Sequence, residues 1–181
     1  SFKNISQLDD KLNFCKLNNI KNINIPCKGL IKKDLFNSTI KFISKNYNEF
    51  NVTYHYSLYH QFSKNKEKSY QEFLDFVKSS QTNKNYEILL VSGSNKKKNF
   101  DSVDVLAYLK KEKNLKVKFG IAYNPYLKKY YNISSERERF EKKISTGLIN
   151  SIWFQYGTDI NVLQNEVTYL KKVVKEEKLN L

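Results

Sequence analysis

The chain of 181 residues has no methionine, one tryptophan, two cysteines, two prolines and five glycines. Two isolated cysteines, Cys15 and Cys27, are too few for a disulfide framework or a zinc site, and the expectation is reduced thiols in an intracellular compartment, cytoplasmic or mitochondrial. The five glycines do not form the G-x-x-x-x-G-K-[ST] spacing of a P-loop. No low-complexity linker breaks the sequence, which reads as one domain over residues 1–181. No run of about eighteen apolar residues occurs, so no membrane span is expected. The first twenty residues are polar and mixed, unlike a signal peptide. A Ser-His-Asp triad, paired carboxylates and a metal-ligand cluster are all missing, which leaves catalytic residues unassigned, gives no metal site and argues against unaided hydrolysis.

Arginine is also scarce. The formal net charge is +14 and there are 32 basic residues, yet only Arg137 and Arg139 are arginine. Lysine, asparagine, tyrosine and isoleucine are what A/T-rich codons supply, and a dedicated nucleic-acid surface favours the planar arginine fork. The charge therefore reads first as a solvated lysine surface, with RNA as a non-specific partner at low salt.

What is present is a repeating strand–turn–helix unit. With 40% hydrophobic and 14% aromatic residues the chain can build a core. Residues 86–104 show the unit most clearly. Ile88 to Val91 form an apolar run suited to a buried strand, Ser92-Gly93-Ser94 a turn, and Asp101 or Ser102 a cap for a helix carrying Val105, Leu106 and Leu109. The pattern recurs at about thirty residues, the length of a βα repeat.

Further strands are expected over 21–26, 51–57, 117–124 and 151–156. Helices are expected over 7–19 and 34–47, from a capping box at Ser69 and Glu72, from a second at Ser135 and Glu138 to Gly147, and after Asp159. The expected class is α/β with parallel strands, as an incomplete or truncated (β/α)8 barrel. A five-stranded doubly wound domain binding a nucleotide at Gly93 is the alternative, and strand order separates the two.

Alternation places Thr53, His55 and Ser57 on one face of their strand. The matching rows are expected to be Ile88, Leu90 and Ser92; Phe119, Ile121 and Tyr123; and Trp153, Gln155 and Gly157. No acidic side chain falls in these rows. Each row grows more polar toward its C-terminal end, as at the mouth of a ligand-binding barrel. His55 is a candidate acid/base or hydrogen-bonding group, and Tyr123 a stacking or donor group. Gln155 can read a heterocyclic amide, Gly93 permits close backbone approach, and the segment from Ser94 to Lys98 can attract phosphate. Lys142 or Lys143 is placed to reach an anion; His60 reads as solvent-exposed.

Ile23-Asn24-Ile25-Pro26, His55-Tyr56-Ser57, Leu90-Val91-Ser92-Gly93-Ser94, Gly120-Ile121-Ala122-Tyr123, Lys142-Lys143-Ile144-Ser145-Thr146-Gly147 and Phe154-Gln155 occur in an order that resembles the methylenetetrahydrofolate reductase family. The resemblance covers roughly residues 20–175 and strands two to six of that family's barrel. It implies FAD held by His55, Ser92, Gly93, Ser94, Tyr123 and Lys143, with Gln155 facing folate or nicotinamide and NADH or NADPH as electron donor. The pattern departs where Ser92 and Ser94 replace an arginine and an acidic residue, and where Leu127 replaces a histidine. The first strand with its glutamate and the last two strands have no counterpart. Either the chain is a segment of a longer barrel, or it is a relative that kept the scaffold and lost the reaction. In the second case it serves as a structural subunit of a larger assembly, with a protein partner covering its open strand edges.

Overall fold

A computed structural model describes residues 2–26, 33–59, 65–81, 85–92, 101–112, 117, 119–127 and 133–176. The chain forms two compact units, Ser1–Phe100 and Asp101–Leu181. Both are α/β, with helices alternating with strands, and the strand pairs within each unit are parallel. Among the described residues no helix is long and apolar enough to cross a membrane.

The first unit runs α1 (Ile5–Leu17), β1 (Asn22–Ile25), α2 (Lys33–Asn46), β2 (Asn51–Ser57), α3 (Lys66–Ser80) and β3 (Tyr86–Val91). Helix α1 begins where the Asn4 side chain accepts the Gln7 N–H at 2.9 Å, and it ends before Asn19, whose φ of 55° suits asparagine at a helix C-terminus. It buries Leu8 and Leu12, one helical turn apart. The Tyr47 hydroxyl, just after α2, donates to the Asp9 carboxylate and lies 2.8 Å from the Asn13 side chain, which ties α1 to the end of α2. Burial and the bond to Asp9 push the Tyr47 hydroxyl up to about 12.

Helix α3 starts earlier than its sequence suggests. Asn65 is the cap, accepting the Lys68 N–H at 2.9 Å, while Ser69 turns its hydroxyl back onto the Asn65 carbonyl. Both residues are good caps and the helix takes the earlier one, with Phe73, Phe76 and Val77 buried on its inner face.

β2 lies between β1 and β3. This excludes the 2-1-3 order of one doubly wound class for the first unit. Val52, Tyr54 and Tyr56 point to the helices. Phe76 is the central ring there: it stacks on Phe36 of α2 at 5.3 Å and meets Tyr54 at 6.5 Å and Tyr56 at 4.6 Å. Ile23 and Ile25 share that side, opposite Val52 and Tyr54.

The second unit runs α4 (Ser102–Leu109), β4 (Phe119–Tyr123), α5 (Ile133–Ile144), β5 (Ile149–Phe154) and α6 (Ile160–Glu176). Asp101 caps α4 in a full capping box with Asp104. Asp159 caps α6 by accepting the Val162 N–H at 3.1 Å. Gly147, with φ 72°, ends α5 in the left-handed region that glycine adopts without strain. α5 opens by Ile133, before the expected box at Ser135, and β5 begins two residues before the expected Ser151.

Truncating Phe76 to alanine is expected to cost about 3–5 kcal/mol in urea unfolding, because it empties the centre of an aromatic cluster. Phe14→Ala, at a residue 61% exposed, is expected to change stability by less than about 0.5 kcal/mol.

Candidate functional site

Paired residues of parallel neighbours project to one side of a sheet, so register decides which side chains share a face. In the first unit Thr53 pairs with Glu87, His55 with Leu89 and Ser57 with Val91. The expected row of Ile88, Leu90 and Ser92 is corrected: Ile88 and Leu90 pair with Tyr54 and Tyr56 on the helix side. The face away from these helices carries Asn24, Thr53, His55, Ser57, Glu87, Leu89 and Val91.

Glu87 overturns the expectation of a face without acidic groups. It is a diagonal neighbour of His55 on that face, one strand over and two residues before its partner Leu89. His55 is half-buried and its Nε2 is shielded from solvent. Beside it Leu89 is buried, so this face turns apolar on β3 while it stays polar on β2. Ser92 lies half-buried just past the end of β3. Gly93, Ser94 and the lysines to Lys98, together with Cys27 and His60, lie outside the described residues. Cys15 is not in a disulfide.

In the second unit a bulge changes the expected pairing. Phe119 pairs with Ile149, but Gly120 pairs with Ser151, so Asn150 is an extra residue on β5. Beyond it Ile121 faces the same way as Ile152, Ala122 as Trp153, and Tyr123 as Phe154. Tyr123 therefore does not share a face with Trp153 and Gln155. It points into the helix layer, 1% exposed, with its ring edge-on to Phe140 at 5.5 Å. No ring face is open for stacking, which corrects its expected place at a ligand mouth. Gln155 is exposed, and its backbone N–H bonds the Tyr123 carbonyl at 2.8 Å.

Around Tyr123 is a polar network that the sequence reading missed. The hydroxyl donates to Glu166 Oε2 at 2.6 Å, and Arg137 grips the same carboxylate through Nε at 3.1 Å and Nη2 at 2.5 Å. The guanidinium rests 4.3 Å from the Tyr169 ring centroid, and the Tyr169 hydroxyl donates to Glu141. Glu166 falls between Leu163 and Leu170 on the apolar stripe of α6, and an acid at that position was the available signal. Arg139 holds Asp101 at 2.5 Å. Both arginines are thus committed to carboxylates within the second unit. Lys142 is the surface lysine, paired with Glu138 at 2.6 Å, whereas Lys143 is buried in the last turn of α5.

Burial alone would raise the Glu166 carboxyl; the bonds from Arg137 and Tyr123 outweigh it and hold the group below the usual range. Burial, then the bond to Glu166, raises the Tyr123 hydroxyl. Asp101 is likewise held low by Arg139 and two backbone N–H groups against the effect of burial.

Among the described residues no three His, Cys, Asp or Glu side chains converge to hold a metal ion. No protein-family profile matches the chain, and no curated protein matches it.

A lowered carboxyl contributes stability above its unfolded value, and loses it as pH falls through the folded value. A raised tyrosine contributes below about pH 10 and loses it as pH rises. Urea unfolding across pH is expected to show both limbs. Glu166→Gln should flatten the acid limb. Tyr123→Phe should flatten the alkaline limb and cost about 1–3 kcal/mol at neutral pH.

Proposed function

We propose that the chain is a flavin-dependent reductase of the methylenetetrahydrofolate reductase type, built on a parallel βα-repeat barrel or a part of one. FAD would carry hydride from NADH or NADPH to methylenetetrahydrofolate. The observation that carries this reading is the face of β2 opposite α2 and α3, which carries Thr53, His55 and Ser57 toward the C-terminal end of the strand. Parallel βα proteins bind ligands at that end.

Of the residues that the family resemblance implies, His55 and Gln155 fit their roles. His55 lies on the face opposite Tyr54 and Tyr56, Gln155 follows Trp153 on the face opposite Tyr123, and an imidazole and a carboxamide both donate and accept hydrogen bonds. Tyr123 does not fit, being enclosed by Phe140 and Glu166. His55 would bind and orient the flavin, and Gln155 would read the amide edge of folate or nicotinamide. The flavin supplies the hydride chemistry; the protein supplies orientation and exclusion of water.

A second reading, a non-catalytic relative acting as a structural subunit of an assembly, draws on helix α1 and the residues after it. Phe14, Leu17 and Ile20 are 61%, 84% and 42% exposed there. An apolar strip of this kind marks a protein contact. In an open segment of a barrel the first and last strands, β1 and β5, would likewise leave edges for a partner to cover. An RNA component of such an assembly would meet lysines rather than the two committed arginines.

The natively purified protein is expected to be yellow, with one flavin per chain by visible absorbance. His55→Ala should lower flavin occupancy severalfold without shifting the melting temperature. A colourless protein that fails to bind added FAD overturns the reductase reading and favours the assembly subunit.

A further inference from the structure

Trp153 is the single tryptophan of the chain, and its surroundings hold it in place. Its indole N–H donates to Ser151 Oγ at 2.8 Å, two residues back on the same strand. A methyl group at Gly120 would lie 2.8 Å from the indole Nε1, 3.0 Å from Cδ1 and 2.8 Å from Ser151 Oγ. These distances are too short for a carbon, so the bare Gly120 is what lets the pyrrole edge and its serine partner settle against β4. The strand register agrees: Gly120 pairs with Ser151, and the small Ala122 with Trp153. β4 thus offers two minimal side chains beside the ring. The ring is held in place and still accessible, since Trp153 is only half-buried. Gln155 follows two residues later, keeps the alternation through its backbone bond to Tyr123, and is exposed.

We propose that Trp153 and Gln155 form a two-point site for a flat heteroaromatic ring with an amide or lactam edge. The indole stacks on the ring, and the carboxamide donates to and accepts from its edge. Gly120 and Ser151 are positioning residues that hold the indole before the ligand arrives, which reduces the ordering cost of binding. The inference rests on the reading of Gln155 as a folate or nicotinamide contact, and adds to it the stacking residue and its support. A pterin and a nicotinamide share this chemistry.

Because no other tryptophan is present, the emission of the intact chain reports the site directly. Titration with folic acid, and in parallel with nicotinamide mononucleotide, is expected to quench that emission along a saturating curve. Absorption by the ligand is corrected with N-acetyltryptophanamide, and the ligand that saturates identifies the ring. Equilibrium dialysis of that ligand against Trp153→Ala should show binding about 5- to 100-fold weaker, with Trp153→Phe in between. Ser151→Ala should shift the emission maximum and weaken binding while the melting temperature holds, which a merely structural serine would not do. Unchanged affinity in Trp153→Ala overturns the site. So does unsaturable quenching by both ligands in a protein that retains FAD, an outcome that leaves the reductase reading standing. If FAD is not retained and neither ligand quenches, the reductase reading falls together with the site.

Discussion

The register of the parallel strands is the constraint on which every assignment of a side chain depends. A shift of one residue moves a whole row from one face to the other. In the first unit the register sets His55 opposite Leu89 and Thr53 opposite Glu87. In the second, the extra residue Asn150 reverses the alternation of β5 relative to β4, which sends Trp153 to the face of Gly120 and Ala122 and leaves Tyr123 among the helices. With no bulge, Ile149, Ser151 and Trp153 would share a face with Phe119, Ile121 and Tyr123. One inserted residue thus decides that Tyr123 and Trp153 lie on opposite faces.

Alternation was legible where one face is polar and the other is not. β2 runs over Asn51–Ser57, and its Val52, Tyr54 and Tyr56 are buried. The cap at Asp159 was legible too, and the cap of α4 was narrowed to Asp101 or Ser102, of which Asp101 serves. β3 was different. Ile88, Leu89 and Leu90 are all buried, so hydrophobicity carries no information about which of them face His55. Only the partner strand decides, and a partner is not a local property. The bulge at Asn150 has the same character: nothing in Ile149-Asn150-Ser151 announces an unpaired residue. The start of α3 is ambiguous in the sequence for another reason, since Asn65 and Ser69, four residues apart, both satisfy the chemistry of a cap.

Charge in this chain separates into two kinds. The lysines supply most of it, as Lys16 and Lys142 show in exposed pairs with Glu49 and Glu138 that add little to stability. The arginines are rare and committed. Arg137 completes a buried carboxylate site that joins β4, α5 and α6, and Arg139 joins α5 to the cap of α4. The planar fork appears where a carboxylate must be held bidentately or a helix pinned, which is the use that distinguishes it from lysine. The two arginines therefore shape the scaffold of the second unit on the face of Tyr123, and the opposite face carries Gly120, Ser151 and Trp153.

The face assignment is most directly tested by thiol labelling. Single cysteines at positions 52 and 53 of β2, and at 121 and 122 of β4, would be introduced with Cys15 and Cys27 replaced by serine. The expected result is that Thr53→Cys and Ala122→Cys react in the native protein, while Val52→Cys and Ile121→Cys react only on unfolding. Native reactivity at 121 with protection at 122 would contradict the account, because it would turn Tyr123 away from α5 and α6 and put Gly120 and Ala122, with their partner Trp153, on the helix side.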